Sequence, residues 1–160
     1  MWLLDLVKGY TVNGVYKYVI FSEGTGEEER FVDIWHKKVP LNVTLLVWHL
    51  FRSRLPTNDN LVTREIMLPI GFAGDCDSVE TALHLFLHCP MFGGTWSPIK
   101  QGIGVSLVHP SCLVAHFIQF GHLCDFSKNV QSCLYLIWFA MVWVLWKERN
   151  NQIFNKDEPM

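Results

Sequence analysis

The sequence predicts a small, mainly α-helical domain of about five or six helices, with a Cys/His loop-helix element and at most one short strand. Half of the 160 residues are apolar, including 7 Trp and 11 Phe, which indicates a buried core and excludes intrinsic disorder. Apolar residues recur at helical spacing in several segments, and Pro- or Gly-containing turns separate these segments.

The first elements are expected before residue 31. Residues 10–12 are typical of a short strand, and Asn13 is suited to cap a helix that runs to Phe21. Residues 22–30 contain two glycines and three consecutive glutamates, and this composition predicts a solvated loop.

A helical hairpin is predicted next. Pro40 suits the first turn of a helix that extends to Arg54, and the Leu55–Pro56 pair stops it. Thr57 is a good N-cap for a second helix that ends at Met67.

A loop over residues 68–75 leads to a helix in which Asp77 is the expected N-cap and Glu80 its capping-box partner. The predicted buried stripe of this helix consists of Val79, Ala82, Leu83 and Phe86. His84 lies off that stripe, so it is not required as a core residue.

The remaining elements are a short or irregular helix over 96–105, a helix over 113–120 and a long helix over 129–151. The long helix contains Cys133–Trp146, a run without charge that is shorter than the roughly 20 residues needed to cross a bilayer. A core helix is therefore predicted, with a membrane anchor as the alternative. We expect two parts, a domain over 10–105 and a helical extension over 106–160 that packs on it.

The most informative motif is the C-x7-H-x4-C array of Cys76, His84 and Cys89. Two thiolates and an imidazole suit zinc, but a structural zinc site has four ligands. A fourth is expected two or three residues before Cys76, where Phe72 and Ala73 carry no donor. Spacing alone leaves four interpretations open: the three residues with an unknown fourth ligand, a fourth ligand from His88 or Asp75, binding by a neighbouring pair among Glu80, His84 and His88, or no metal. Without a metal, both cysteines are buried and His84 is a surface or hydrogen-bonded residue. The other cysteines, at 112, 124 and 133, lack nearby ligand partners and are predicted to act as small buried apolar residues.

Charge and motif content exclude several functions. The net charge is -2, so no overall basic field indicates nucleic acid, although one stretch is enriched in basic residues. These residues are Lys37, Lys38, Arg52, Arg54 and Arg64. They form either a solvated surface or a phosphate-contacting face. Phosphate-binding Gly-rich loops, G-x-S-x-G and H-E-x-x-H are missing, so no enzymatic activity and no small-molecule substrate is predicted. The start of the sequence does not have the pattern of a secretory signal, which favours an intracellular location, nucleus or cytoplasm, rather than secretion.

Several sequence blocks together resemble the zinc-binding domain that follows the polymerase in plant LINE-type (non-LTR retrotransposon) reverse transcriptases. The blocks are W-x3-VP, R-LPT-x-DNL, E-x3-HLFLHCP and the terminal WKERN, and the resemblance covers roughly residues 10–155. It implies zinc ligation by Cys76, His84 and Cys89, with the family's first cysteine missing around Phe72. This departure weakens the expectation of tight zinc binding.

The leading hypothesis is therefore a non-catalytic, partly degenerate zinc-binding domain of reverse transcriptase ancestry, without the polymerase domain itself. Its expected partner is RNA or DNA beside a polymerase, contacted through the basic residues named above. The alternatives are a membrane-associated protein anchored by residues 133–146 and a translated relic without molecular function.

Overall fold

The computed structural model describes residues 34–66, 76, 78–104, 110–122 and 127–154. The chain divides into two compact units, Met1–His36 and Lys37–Met160, and all elements described below belong to the second. These elements are α1 (Leu41–Phe51), α2 (Asn58–Thr63), a π-helical segment (His84–His88), a 3₁₀ turn (Gly93–Thr95), α3 (Trp96–Ile103), α4 (Leu113–Gly121) and α5 (Lys128–Phe154). No strand occurs among the described residues, and the predicted mainly α-helical class is confirmed. The elements predicted over 10–30, the loop over 68–75 and the Asp77 cap lie outside the described residues.

Helix α1 ends at Phe51, earlier than predicted, because the chain turns sharply there. Ser53 adopts a left-handed conformation with a φ of 51°. Its N–H donates to the carbonyl of Leu50 at 3.1 Å, and the N–H of Arg54 donates to the carbonyl of His49 at 2.8 Å. These two bonds form a Schellman motif, which usually has glycine at the left-handed position. A serine there carries the steric cost that glycine avoids.

Helix α2 begins where the sequence predicted, and Thr57 occupies the N-cap position with an extended backbone. It ends at Thr63 rather than at the predicted Met67. Glu65 has a φ of 59°, and the backbone bonds around it repeat the Schellman pattern found at the end of α1. The same turn therefore closes both helices.

The core forms where α5 packs against α1 and α4. Eight residues of α5 are buried, namely Leu134, Tyr135, Trp138, Phe139, Val142, Leu145, Trp146 and Arg149. Trp138 is fully buried and lies at the centre of an aromatic cluster, with its ring centroid 4.9 Å from that of Phe117 and 5.7 Å from that of Phe51. Its indole N–H donates to Nδ1 of the buried His116 at 3.0 Å, so the one polar group of the indole ring has a partner inside an apolar core.

The opposite face of α5 is largely apolar as well. Val130, Ile137 and Val144 are exposed, and the helix is long and apolar enough to cross a membrane by length and composition, a property that core helices of soluble proteins share. Of its most apolar window, 39% is buried inside the protein. The prediction that α5 is a core helix therefore holds for one of its faces.

Candidate metal centre

The structure brings together the donor atoms of the C-x7-H-x4-C array. The Sγ atom of Cys76 lies 3.2 Å from Nε2 of His84 and 3.9 Å from Sγ of Cys89. All three donor atoms lie within 4.8 Å of one another. Around a tetrahedral zinc ion with its usual bond lengths, two sulfurs are about 3.8 Å apart, and a sulfur and a nitrogen about 3.6 Å. The two separations from Cys76 are therefore within about 0.4 Å of those around one ion, and the chemistry of the three donors suits zinc.

A π turn places two of these donors. The N–H of Cys89 donates to the carbonyl of His84 at 2.7 Å, a bond that spans five residues instead of the four of an α-helix. This wider turn brings residue 89 back beside residue 84. In an α-helix the corresponding bond would join His88 to His84 and would carry Cys89 past it. Single π turns of this kind are frequent at functional sites.

The start of this segment differs from the prediction. The helical residues begin at Ala82, and the hydroxyl of Thr81 accepts the N–H of His84 at 3.1 Å, which is the pattern of an N-cap. Val79, predicted to be buried, is 68% exposed. The predicted stripe is confirmed at Phe86, which is fully buried, and is wrong at Val79, which precedes the first helical residue. Within the π turn three consecutive residues are buried. They are Leu85, Phe86 and Leu87.

The backbone after the site folds back tightly onto the π-helical segment. The N–H of Gly93 donates to the carbonyl of Cys89 at 2.7 Å. The indole N–H of the buried Trp96 donates to the carbonyl of Phe86 at 2.7 Å, so the π turn has a side-chain partner for one of its carbonyls. Gly93 lies so close to the backbone of Leu87 that no side chain fits between them. These contacts hold Cys89 in place from both sides.

The local environment affects how a metal would be bound. Cys89 is 1% exposed, whereas Cys76 and His84 are half-buried. Burial raises the pKa of the Cys76 thiol, and the neighbouring Cys89 adds to the effect, while a backbone hydrogen bond from Ser78 opposes it. The metal-free thiol therefore holds its proton at neutral pH, and an incoming ion must displace it.

The structure describes only one of the residues considered for the fourth ligand position. His88 is exposed and is not among the described side chains that converge on the site. Asp75, Phe72 and Ala73 lie outside the described residues. Of the remaining cysteines, Cys112 and Cys133 are exposed, contrary to the prediction that they are buried, because each lies on an outward-facing side of its helix region. Cys124 lies outside the described residues.

The five basic residues predicted to contact nucleic acid do not form one patch. Lys37 and Lys38 are exposed before α1, whereas Arg52 and Arg54 follow its other end, about 16 Å away along the helix axis. The guanidinium carbons of these arginines lie 5.9 and 5.7 Å from the ring centroid of Trp48. The fifth residue, Arg64, is exposed at the end of α2. The set thus divides into separate groups, of which the two arginines and Trp48 form the most organised.

Sequence reasoning missed the ion pair between Glu80 and Arg149. It treated Glu80 as a capping residue and Arg149 as part of a polar cluster at the helix end. Both side chains are almost completely buried, at 1% and 6% exposed, and their atoms Oε1 and Nη2 are 2.6 Å apart. One feature of the sequence could have indicated this pair. Glu80 belongs to the block E-x3-HLFLHCP and Arg149 to the block WKERN, and both blocks carry the family resemblance.

A small helical domain in which two thiols and an imidazole converge at a π turn has the features of a compact metal-binding module. Comparison with known families makes this assignment specific. The chain belongs to the family described as zinc-binding in reverse transcriptase, whose model matches residues 10–96. This match confirms the predicted resemblance to a zinc-binding domain associated with reverse transcriptase, and the family is a zinc-binding domain rather than a polymerase domain. No curated protein and no solved structure matches the chain.

Proposed function

We propose that the chain binds one zinc ion through Sγ of Cys76, Nε2 of His84 and Sγ of Cys89. The observation that carries this proposal is the convergence of the three donor atoms within 4.8 Å. Because neither Phe72 nor Ala73 has a donor atom, a water molecule is the proposed fourth ligand. Such a site has one protein ligand fewer than a four-residue structural site, so its affinity is expected to be lower.

Cobalt substitution tests the ligand set. Co²⁺ bound by two thiolates gives a sulfur-to-metal absorption band, and competition with Zn²⁺ then yields the zinc affinity. We expect Cys76→Ser, His84→Gln and Cys89→Ser each to abolish the band. Cys112→Ser and His88→Gln are the matched controls, because both side chains are exposed and neither belongs to the converging group. Equal loss of the band in a control and in a ligand variant would contradict the proposed site.

The role of the ion is proposed to be structural. A metal that binds only the folded state adds about 2.7 kcal/mol of stability when its concentration is 100 times the dissociation constant. For a chain of this length, that corresponds to a rise of about 5–10 °C in the melting temperature. Addition of a chelator to zinc-loaded protein should reverse the rise in the wild type and leave Cys76→Ser unchanged.

We also propose that the domain contacts nucleic acid, through Arg52 and Arg54 beside Trp48. The supporting observation is that both guanidinium groups lie over one aromatic ring at the end of α1. Binding that neutralises phosphates weakens with salt, with a slope of about -0.9 per contacted phosphate on duplex DNA. The double variant Arg52→Ala/Arg54→Ala should reduce the steepness of the slope by nearly 2 if both contact phosphate. Lys128→Ala, an exposed cation at the start of α5, serves as control. A slope unchanged by the double variant would contradict this surface.

The finer origin within the family is a proposal as well. The blocks W-x3-VP, R-LPT-x-DNL and WKERN support descent from a plant LINE-type element. A genomic reading frame that continues upstream into a polymerase domain would support this origin, whereas an unrelated upstream domain would oppose it.

A membrane-associated function has one observation in its favour, the length and apolar composition of α5 together with its exposed Val130, Ile137 and Val144. Flotation of the purified protein with phosphatidylcholine vesicles tests it. Protein that stays in the aqueous fraction, with or without Zn²⁺, would remove this second candidate.

A further inference from the structure

We infer that Arg149 is a positioning residue for the metal centre and that α5, which lies outside the family match at residues 10–96, is part of the metal-binding unit. The inference rests on the proposed zinc function and extends it to a residue far from the ligands in sequence.

Arg149 donates two hydrogen bonds to the carboxylate of Glu80. Its Nη2 donates to Oε1 of Glu80 at 2.6 Å, and its Nε donates to Oε2 at 3.3 Å. The same Nη2 donates to the carbonyl of Pro56 at 3.2 Å, and the N–H of Asn58 donates to Oε1 of Glu80 at 3.1 Å. The planar guanidinium suits such two-point binding of a carboxylate, which fixes direction as well as distance. Three distant parts of the sequence therefore meet at one carboxylate.

Glu80 is placed where it controls the ligands. It lies between Cys76 and His84 in the sequence and directly precedes Thr81, whose hydroxyl accepts the N–H of His84. The backbone of Glu80 is held too, because the N–H of Asp59 donates to its carbonyl at 3.2 Å. A residue fixed at both its backbone and its side chain sets where the helical turn that bears His84 begins.

A second contact joins α5 to the π-helical segment. The ring of Trp146 stacks on that of Phe86, with centroids 6.4 Å apart and an interplanar angle of 24°. The guanidinium of Arg149 lies 5.0 Å from the centroid of the Trp146 ring. Helix α5 thus contacts the ligand-bearing region on both sides of His84, at Glu80 and at Phe86.

Because the ion pair is buried, the position of Glu80 depends on Arg149. A carboxylate that loses its cation in so buried a site must move toward water. Without the two-point contact from Arg149, the side chain at position 80 is no longer fixed, whether it is charged or neutral. The turn that follows it then shifts, and so does His84 relative to Cys76. Groups hydrogen-bonded to a metal ligand typically contribute a factor of about 10 to 100 to metal affinity, and Arg149, which acts through Glu80, is expected at the lower end of this range.

The experiment compares four full-length variants with the wild type. Arg149→Met removes the positive charge and keeps a side chain of similar length. Arg149→Lys keeps the charge but cannot make the two-point contact with the carboxylate. Lys147→Met removes an exposed cation from the same helix and is the matched control. The double variant Glu80→Gln/Arg149→Met has no unpaired buried carboxylate. We therefore expect it to keep the fold while lacking the two-point contact between residues 80 and 149. Circular dichroism verifies the fold of each.

Two readouts decide the outcome. The first is Co²⁺ affinity, which should fall about 10-fold or more in Arg149→Met and in the double variant, less in Arg149→Lys and not in Lys147→Met. The second is the alkylation rate of Cys76 and Cys89 in metal-free protein, resolved by peptide mass mapping. Both thiols should react faster in Arg149→Met than in Lys147→Met.

The two proposals fail in different ways. A wild type without the cobalt band overturns the zinc function. A folded double variant with wild-type Co²⁺ affinity overturns the positioning role of Arg149. Equal alkylation of the two thiols in Arg149→Met and Lys147→Met overturns that role as well, and this readout needs no metal.

Discussion

The adjacent residues Gly93 and Gly94 allow a sharp check on the packing that supports the metal centre. A Cβ added at Gly93 would lie 2.4 Å from the carbonyl oxygen of Leu87 and 2.5 Å from its carbonyl carbon. A Cβ added at Gly94 meets no atom within 4 Å. Neither glycine has a positive φ, so alanine suits the backbone at both positions and the comparison isolates the steric effect.

The expected magnitude follows from which atoms obstruct the new methyl group. Both belong to the backbone of Leu87, so no side-chain rotation relieves the contact and the π-helical segment itself must move. Forced shifts in packed regions cost about 1–3 kcal/mol, and we expect Gly93→Ala at the upper end of this range. The melting temperature should then fall by about 5–10 °C. Gly94→Ala should stay within about 0.5 kcal/mol of the wild type.

Urea unfolding followed by tryptophan fluorescence measures the free energy of unfolding of both variants. A Co²⁺ titration of the same samples reports whether displacement of Leu87 also moves His84 and Cys89, which flank it. Equal stability of Gly93→Ala and Gly94→Ala would refute the close approach on which the reasoning depends.

Other variants test the helix ends and the core. Ser53→Gly and Glu65→Gly should each stabilise the protein by about 0.5–1 kcal/mol, because glycine adopts their left-handed conformations without steric cost. Ser97→Gly, at an exposed position in the first turn of α3, is the control and should destabilise by up to about 0.5 kcal/mol. Destabilisation by Ser53→Gly in chemical denaturation would contradict the Schellman assignment at that residue. Trp138→Phe should cost about 2–4 kcal/mol, since it leaves the buried Nδ1 of His116 without its indole donor and creates a small cavity. A loss below about 1 kcal/mol in the same unfolding measurement would show that the indole bond is not part of the core.

The helical class and the three converging donors could be predicted because they depend on local patterns. Helical spacing of apolar residues reports α1, α4 and α5, and the short separations from Cys76 to Cys89 keep those residues close in any helical arrangement. The π turn at 84–88 could not be predicted, since its extra residue is stabilised by tertiary bonds such as that from Trp96. Val79 was assigned to the core for a different reason, since the helix was expected to begin before it and begins instead at Ala82.

The helix ends and the buried ion pair escaped prediction for different reasons. Schellman turns usually carry glycine, and Ser53 and Glu65 gave no such signal. Glu80 and Arg149 are 69 positions apart, and charged residues are expected on the surface unless a partner is known. Only the assembled structure supplies that partner.

The ion pair also constrains how this sequence can change over generations. Loss of one buried partner costs about 3–5 kcal/mol, a large share of the 5–15 kcal/mol that stabilises a typical domain. Replacement of both partners by apolar residues of similar volume carries no such cost. Descendants of this chain are therefore expected to keep both Glu80 and Arg149 or to lose both, so that two codons far apart in the gene are selected as one unit.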